Sequence, residues 1–237
     1  MSGTSEITSF LLIGQSNMAG RGELDRSRTL SDPRCLMLRV GRWVKMEEPI
    51  NPDRPIFEGE FHSGAGLAAS FAYRYATELD ARIGLIPSAD GGTRIEQWMP
   101  GEILFDHAVF MAKLAMRTSR LGGILWHQGE SDCSPEHLPL YKERFLTFVS
   151  ALRRALDAEQ IPFIFGEISE QISPRWNRGD YPKQMNRLLH ELVDEIPNAR
   201  LVLARELTLK PDGIHFSTPS LRELGSRYFD AYRELTL

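Results

Sequence analysis

Short apolar runs alternate along this chain with longer segments of helical periodicity, and this alternation constrains the possible folds. The apolar runs lack polar alternation and end in turn residues, as strands buried on both faces do. They cover residues 7–13, 82–87, 122–127, 162–166 and 200–204. The helical segments cover residues 67–79, 105–120, 138–158, 181–195 and 220–235. The pattern predicts an α/β fold in which helices cover both sides of a parallel sheet.

Residues 21–63 interrupt this alternation with charged residues, prolines and brief strand candidates at residues 36–40 and 42–46. We interpret the region as an insertion that lies over the sheet edge, near the site formed by the motifs described below, and not as a second domain. The 237 residues are 42% hydrophobic and 25% charged, which suits one domain with a sizeable core. Residues 1–237 are therefore expected to form a single domain.

The composition argues against several classes of protein. The net charge is −4 and both signs are scattered along the chain, so nucleic acid is not an expected partner. Cys35 and Cys133 form no Cys-x-x-Cys pair, which argues against a disulfide scaffold and a cysteine-based zinc site. The apolar stretch at residues 7–13 is too short to cross a membrane and lacks a basic flank. We expect no membrane partner, no metal and a cytoplasmic location.

The first apolar run stops abruptly in the segment GQSNMAG, residues 14–20. Ligands bind beyond the carboxyl ends of strands in an open parallel sheet, and a glycine-rich bend there can lift the Ser16 hydroxyl out of the core. Ser16 is thus a candidate nucleophile. The alternative is an N-cap serine, which stabilises a helix by roughly 1 kcal/mol. Met18 stands where the Gly-x-Ser-x-Gly pattern needs its last glycine, so that pattern is not met.

The segment PDGIHF, residues 211–216, places an aspartate three residues before a histidine. Asp212 and His215 would lie on one side of a single turn, where the carboxylate can reach the Nδ1–H of the imidazole. This bond fixes the tautomer and stabilises the imidazolium that forms when His215 accepts a serine proton. A plain Asp-Gly turn and a structural histidine are the alternatives. Together with Ser16, the pair predicts a serine esterase.

The segment WHQGESD, residues 126–132, begins in the last two residues of a predicted strand and continues directly beyond it. A hydrolase needs donors aimed at the oxyanion that develops on the carbonyl oxygen, and the Gln128 carboxamide is a suitable donor. Glu130 has three interpretations: a second acid near His215, a salt-bridge partner, or a cap for the next helix.

The segment ADGGTR, residues 89–94, follows another predicted strand. Its glycines form only a turn in one interpretation. In the other, the Gly92 backbone N–H is a further oxyanion donor, because no side chain shields it. Arg94 and Trp98 would then line the rim of the pocket, and Gln15 and Asn17, on either side of Ser16, are further candidate substrate contacts.

These motifs, in this order, resemble those of the SGNH hydrolase superfamily. Within it they are similar to the carbohydrate acetylesterases grouped with acetylxylan esterases and sialate O-acetylesterases. The resemblance spans residues 14–215 and implies that Ser16 is the nucleophile, His215 the base and Asp212 its acid. It places Gly92 at the glycine of the second motif, and Gln128 where the wider superfamily carries asparagine.

The resemblance also implies a fold and a reaction. The fold is a three-layer α/β/α sandwich with a five-stranded, parallel, flavodoxin-like sheet. The reaction is removal of O-acetyl groups from a small sugar or oligosaccharide through an acyl-enzyme, with no cofactor, and Glu130 is a possible assisting acid. Two alternatives remain: a lipolytic or thioesterase-type SGNH hydrolase, and a non-catalytic carbohydrate-binding protein on the same fold.

Overall fold

Seven strands form one sheet in the computed structural model, which describes residues 6–25, 29–52 and 62–236. The strands are β1 Ile7–Gly14, β2 Cys35–Arg39, β3 Arg42–Lys45, β4 Arg82–Pro87, β5 Arg120–His127, β6 Phe163–Gly166 and β7 Ala199–Val202. Their order across the sheet is β3-β2-β4-β1-β5-β6-β7. Neighbouring strands are parallel, except that β2 and β3 are antiparallel.

Six helices connect or follow the strands in the described residues, and all but the four-residue α1 lie where the periodicity predicts a helix. They are α1 Ser16–Ala19, α2 Leu67–Leu79, α3 Ile103–Met116, α4 Leu138–Ala155, α5 Tyr181–Glu195 and α6 Thr218–Thr236. Proline stands in the first turn of both α4 and α5, where its missing N–H costs no hydrogen bond. Among the described residues, no helix has the length and apolar character needed to cross a membrane.

Helix α3 ends at Met116, four residues before the predicted end at residue 120. Ser119 Oγ donates to the carbonyl of Ala115 at 2.8 Å, which satisfies a carbonyl of the last turn. The chain then enters β5 at Arg120. Residues 117–119 therefore connect α3 to β5, and Arg120 belongs to the strand and not to the helix.

The predicted three-layer α/β/α architecture is confirmed, but the sheet has seven strands and not five. The two strand candidates of the insertion form β2 and β3. They do not lie over the edge: β2 pairs with β4, for example through Met37 and Leu85, and so extends the sheet. A Cβ at Gly84 would come within 2.6 Å of the Trp43 ring, so this glycine allows β3 to pack closely. The insertion's full extent stays a prediction, because residues 26–28 and 53–61 lie outside the described residues.

Two apolar layers cover the sheet, because successive side chains of a strand point to opposite faces. Phe10 of β1 packs in the layer of α2 and α6, whereas Leu11 packs in the layer of α3, α4 and α5. The α4 residues that share one helical face are all buried: Tyr141, Phe145, Phe148 and Leu152. Parallel strands end at the same edge, so the loops after β1, β4, β5, β6 and β7 meet there.

Candidate active site

Ser16 lies at the point where the chain leaves the end of β1. Gly14 has a φ of +124°, and a Cβ there would come within 2.2 Å of the carbonyl oxygen of His127, so only glycine fits beside β5. The next amide, that of Gln15, donates to the same carbonyl at 2.9 Å. The chain then turns directly into α1, and Ser16 is its first residue. Strand pairing with β5 therefore fixes the serine at the sheet edge.

Asp212 and His215 occupy a tight turn in the loop after β7. Oδ1 of Asp212 accepts hydrogen bonds from the amides of Ile214 at 3.1 Å and His215 at 3.0 Å. Gly213 has a φ of +68° and donates to the carbonyl of Lys210 at 2.8 Å. The turn thus uses one carboxylate oxygen to hold its own backbone and leaves the other, Oδ2, for the imidazole.

The structure brings the three predicted catalytic residues together. Nδ1 of His215 lies 3.0 Å from Oδ2 of Asp212, and Nε2 of His215 lies 3.0 Å from Oγ of Ser16. A carboxylate only accepts, so the proton of the neutral imidazole sits on Nδ1. Nε2 is then the acceptor for the serine hydroxyl. This arrangement can remove the hydroxyl proton as Ser16 attacks an electrophile.

The environment favours an ionised acid beside a neutral base. Burial raises the pKa of Asp212, but hydrogen bonds from the amides of His215 and Ile214 and from the His215 ring outweigh it and hold this pKa at about 2. Burial lowers the pKa of His215, and the Asp212 carboxylate offsets only part of this effect. At neutral pH, His215 is therefore able to accept a proton.

Two backbone N–H groups lie in the loops around Ser16. The Ser16 amide begins α1, where the first N–H groups of a helix have no intrahelical acceptor. Gly92 is exposed in the loop after β4, with a φ of +75°. That loop is held beside β1 because the Asp90 amide donates to the carbonyl of Gly14 at 3.0 Å. Both predicted backbone donors thus stand at the sheet edge that carries the serine.

Gln128 is not placed as predicted, because its side chain is completely buried and fully hydrogen-bonded. Nε2 donates to the carbonyl of Thr93 at 2.9 Å and to Oδ2 of Asp132 at 2.5 Å, while Oε1 accepts from the Tyr141 hydroxyl at 3.0 Å. The opposite amide orientation would set Oε1 against two acceptor oxygens. Both N–H bonds are therefore used internally, and the structure contradicts Gln128 as an oxyanion donor.

Trp98 is also not at the pocket rim. Its side chain is fully buried, Nε1 donates to Oγ1 of Thr93 at 3.0 Å, and the ring packs edge-on against Trp126 with centroids 5.3 Å apart. The prediction of a substrate contact is wrong here, because the indole completes the core beneath the loop. Arg94 keeps 41% of its side chain exposed and pairs with Glu96 at 2.7 Å.

The residues on either side of Ser16 are buried rather than open to a ligand. Gln15 is 2% exposed, and its Oε1 accepts from the Ser131 amide at 3.4 Å. Asn17 is 1% exposed, and its Nδ2 donates to Oε1 of Glu130 at 2.6 Å. The predicted substrate contact of Asn17 is contradicted, because its amide is engaged inside the protein.

The Glu130 carboxyl group is hydrogen-bonded to Asn17 and not to the imidazole of His215. Both ring nitrogens of His215 already bond other residues, Asp212 and Ser16, which leaves no ring position for a second acid. Glu130 is 1% exposed, and burial raises the pKa of its carboxyl group. Direct assistance to the base is therefore not what this arrangement offers.

Trp176 is a residue at this site that the sequence did not reveal. It ends a short 3₁₀ helix, Pro174–Trp176, in the loop after β6, and it remains 40% exposed. Its Nε1–H donates to the backbone carbonyl of Asp212 at 2.8 Å. The same loop holds the turn of Asp212 and His215 through the Ser173 amide, which donates to the carbonyl of Gly213 at 2.8 Å. A lone tryptophan in a polar loop carries no motif, so only the fold places it beside Asp212.

No metal-binding group of three or more His, Cys, Asp or Glu side chains occurs among the residues that the structure describes. The chemistry of the assembled site is that of a nucleophile, a base and an acid.

Comparisons with known proteins identify the family of the chain. The family described as "Carbohydrate esterase, sialic acid-specific acetylesterase" matches residues 6–234. The probable carbohydrate esterase At4g34215 of Arabidopsis thaliana is 31% identical over an aligned length of 245 residues, gaps included. The match covers 94% of this chain and 89% of that protein.

Solved structures share the fold over nearly the whole chain. The Arabidopsis thaliana protein AT4G34215 superposes with a TM-score of 0.85 at 27% identity, covering 97% of this chain and 98% of the other. NanS superposes with a TM-score of 0.78 at 16% identity, covering 99% of this chain and 98% of the other. XAC1771, a carbohydrate acetylesterase from Xanthomonas citri, gives 0.65 at 20% identity, covering 96% of this chain and 56% of the other. On the strength of the family match, this protein is a carboxylic ester hydrolase and belongs to the carbohydrate esterase family of sialic acid-specific acetylesterases.

Proposed function

We propose that this protein removes O-acetyl groups from sugars or oligosaccharides through an acyl-enzyme on Ser16. The observation that carries the proposal is the continuous chain of hydrogen bonds from Asp212 through His215 to the Ser16 hydroxyl, with both distances 3.0 Å. Family membership supports the acetylated sugar as the class of substrate.

The mechanism begins with attack of the Ser16 oxygen on the acetyl carbonyl while Nε2 of His215 takes the hydroxyl proton. The resulting imidazolium is stabilised by the Asp212 carboxylate, which remains ionised. Nε2 then gives the proton to the departing sugar oxygen, and an acetyl group remains on Ser16. Water repeats the sequence, with His215 again as base, and releases acetate.

The tetrahedral intermediate needs donors for its oxyanion. We assign the backbone N–H groups of Ser16 and Gly92 to this role, because Gln128 has no free N–H. Removing one such donor in other hydrolases costs on the order of 10²–10³ in turnover. Gln128 instead ties the loop after β4 to the loop after β5 through Thr93 and Asp132.

The sugar portion needs a surface beside the catalytic turn, and we assign this role to Trp176. Its indole is exposed while its N–H is fixed to the Asp212 carbonyl, so the ring is held in place next to the acid. An aromatic face suits the apolar C–H face of a sugar ring, and a pre-positioned ring loses little conformational entropy on binding.

The proposal is tested by acetate release from wild type and Ser16→Ala, side by side. The substrates are O-acetylated sialic acids, acetylated monosaccharides, acetylated xylo-oligosaccharides and a long-chain ester. We expect release from acetylated sugars that disappears in Ser16→Ala. Preference for the long-chain ester would favour a lipolytic enzyme instead, and wild type that releases nothing while binding the sugars would favour a carbohydrate-binding protein.

A further inference from the structure

One buried side-chain amide, that of Asn17, connects three loops of the active site. Its Oδ1 accepts from the backbone N–H of Phe216 at 3.0 Å. Its Nδ2 donates to Oε1 of Glu130 at 2.6 Å and lies 3.4 Å from the carbonyl oxygen of Ile214. Asn17 follows β1, Glu130 follows β5, and the other two residues belong to the loop after β7.

The backbone groups that Asn17 holds belong to the residues on either side of His215. The amide therefore restrains the peptide that carries the base against the segment that carries the nucleophile. Asn17 is adjacent to Ser16 in the chain, and its side chain bonds the backbone beside His215. It therefore links the two segments independently of the hydrogen bond between Ser16 and His215.

Glu130 and the backbone N–H of Phe216 both favour the same orientation of the Asn17 amide, and Glu130 is the side chain that does so. In the opposite orientation, Oδ1 of Asn17 would face a carboxylate oxygen, and its NH₂ group would face the N–H of Phe216. One contact would then join two acceptors and the other two donors, so neither could form a hydrogen bond. Leaving buried polar groups without hydrogen bonds destabilises the folded state. Oε2 of Glu130 is buried without a hydrogen-bond partner among the described residues. The carboxyl group therefore forms its hydrogen bond to Asn17 through Oε1 alone.

We propose that Asn17 is a positioning residue that sets the distance between Ser16 and His215, and that Glu130 acts through Asn17 by orienting its amide. The inference rests on the proposed function, because it assigns both residues to the same serine-histidine chemistry. It differs from an assisting-acid role in one respect: the charge of Glu130 is not required, and only an acceptor at Oε1 is.

The test compares four variants at the two positions: Asn17→Ala, Asn17→Asp, Glu130→Ala and Glu130→Gln. Asn186→Ala is the matched control. Asn186 is also a buried asparagine whose amide holds backbone groups, with Oδ1 accepting from the Ile168 N–H and Nδ2 donating to the Ile168 carbonyl, both at 3.0 Å. It lies on α5, holds the loop after β6 through Ile168, and forms no hydrogen bond with Ser16 or His215.

Two readouts are needed. The first is kcat and KM for p-nitrophenyl acetate across pH, with the melting temperature of every variant. The second is the rate at which paraoxon, diethyl p-nitrophenyl phosphate, modifies the protein. In that step a bond forms between Ser16 Oγ and phosphorus, p-nitrophenolate leaves, and the serine proton passes to His215. This rate reports the serine-histidine pair without requiring the natural substrate.

We expect Asn17→Ala to lower kcat and the paraoxon rate by up to about 100-fold, since a misplacement of about 1 Å can cost that much. KM should change little. Asn17→Asp keeps the acceptor for Phe216 but cannot donate to Glu130, and it should lose rate as well. Glu130→Ala should resemble Asn17→Ala, whereas Glu130→Gln, which keeps an acceptor oxygen, should recover most of the lost rate with an unchanged pH midpoint.

Two results would overturn the inference. One is an equal loss of kcat in Asn17→Ala and Asn186→Ala at equal loss of melting temperature, which would make Asn17 merely structural. The other is a Glu130→Gln variant as slow as Glu130→Ala with a shifted pH midpoint, which would return Glu130 to a charge-based role. If Asn17→Ala does not fold, Asn17→Asp and the Glu130 pair decide the question.

Failure of the proposed function is a separate result. Wild type that reacts with paraoxon at Ser16 but releases no acetate from any sugar would remove the acetylesterase assignment and leave the positioning test readable. Wild type in which Ser16 reacts with neither paraoxon nor p-nitrophenyl acetate would contradict both the proposed function and the positioning role of Asn17.

Discussion

Nε2 of His215 lies 3.0 Å from Oγ of Ser16, although 199 positions separate the two residues in the chain. Each residue is held by its own local structure: Ser16 by the bend that follows β1, and His215 by the turn that Asp212 closes. The contact between them arises because the loops after β1 and β7 meet at one edge of a parallel sheet.

Replacing the orienting acid should abolish most activity without unfolding the protein. In Asp212→Asn, the side-chain amide no longer favours the Nδ1–H tautomer, so Nε2 is a poor acceptor for the serine proton. The corresponding change in a serine protease lowers kcat by about 10⁴-fold, and we expect a loss on the order of 10³–10⁴ here. The measurement is kcat for acetate release. Asp106→Asn, at an exposed aspartate of α3 that also precedes a histidine, is the control and should keep wild-type turnover.

The pH profile should report the neutral form of His215. Because the base must be unprotonated, kcat/KM should fall as pH decreases through its pKa, which burial sets below the ordinary value of about 6.5. Lys210 Nζ lies 3.6 Å from Oδ2 of Asp212, and its charge contributes to this lowering. Lys210→Met should therefore move the acid midpoint upward. Lys113→Met, exposed on α3, should leave it in place, and a midpoint above pH 6.5 in wild type would contradict the prediction.

Truncating Trp176 should weaken binding of sugar esters selectively. We expect Trp176→Ala to raise KM for an acetylated sugar by about 3- to 10-fold, the equivalent of about 1 kcal/mol of aromatic contact. Trp176→Phe keeps a ring but loses the hydrogen bond to the Asp212 carbonyl, and its KM should be intermediate. KM for p-nitrophenyl acetate, which has no sugar, serves as the control. Equal effects on both substrates would indicate that Trp176 supports the turn and does not contact the sugar.

Asp132 should make the stability of the protein depend on pH in an unusual direction. Burial raises its pKa from 3.8 to about 6, against the lowering effect of hydrogen bonds from Gln128 and Ile95. A carboxyl group whose pKa is higher in the folded state favours folding at low pH relative to high pH. Its contribution is present below about pH 4 and is lost as pH rises through about 6.

The variant Asp132→Asn removes this titration while keeping an acceptor oxygen for Ile95 and Gln128. The difference in free energy of unfolding, variant minus wild type, should rise by about 2 kcal/mol between pH 4 and pH 7, following 1.36 kcal/mol for each pKa unit. Urea unfolding at the two pH values measures it. A difference that is constant with pH would show that Asp132 does not titrate with a raised pKa.

Local patterns in the sequence predicted the elements well, because the periods of buried strands and amphipathic helices are short-range properties. Helices α2 and α5 and strand β4 begin and end where the periodicity predicts. The sheet edge was harder to predict. The strands β2 and β3 are short and lie in a charged segment, so their addition to the sheet beside β4 depends on contacts such as Trp43 over Gly84 rather than on their own pattern.

The aromatic residues show why the substrate surface could not be predicted. Trp98 and Trp176 both follow strand ends in polar segments, and nothing in their immediate sequence separates them. Trp98 turns inward, where Thr93 and Trp126 satisfy it, whereas Trp176 remains at the surface because its partner is a backbone carbonyl on the catalytic turn. Burial is a property of the assembled layers and not of the local sequence.

The sequence by itself determined the α/β alternation, the position of Ser16 at a strand end, and the pairing of Asp212 with His215, because each depends on residues close together in the chain. The tertiary structure decided which polar side chains face a ligand and which hold the site together. Gln128 bonds Thr93 as well as the nearby Asp132, and Asn17 and Glu130 bond each other across 113 positions. These bonds use the N–H groups and lone pairs that the motifs suggest for substrate or for the base. A hydrogen-bonding group can be assigned a role only when its partner is known, and here the meeting of the loops at the sheet edge supplies that partner.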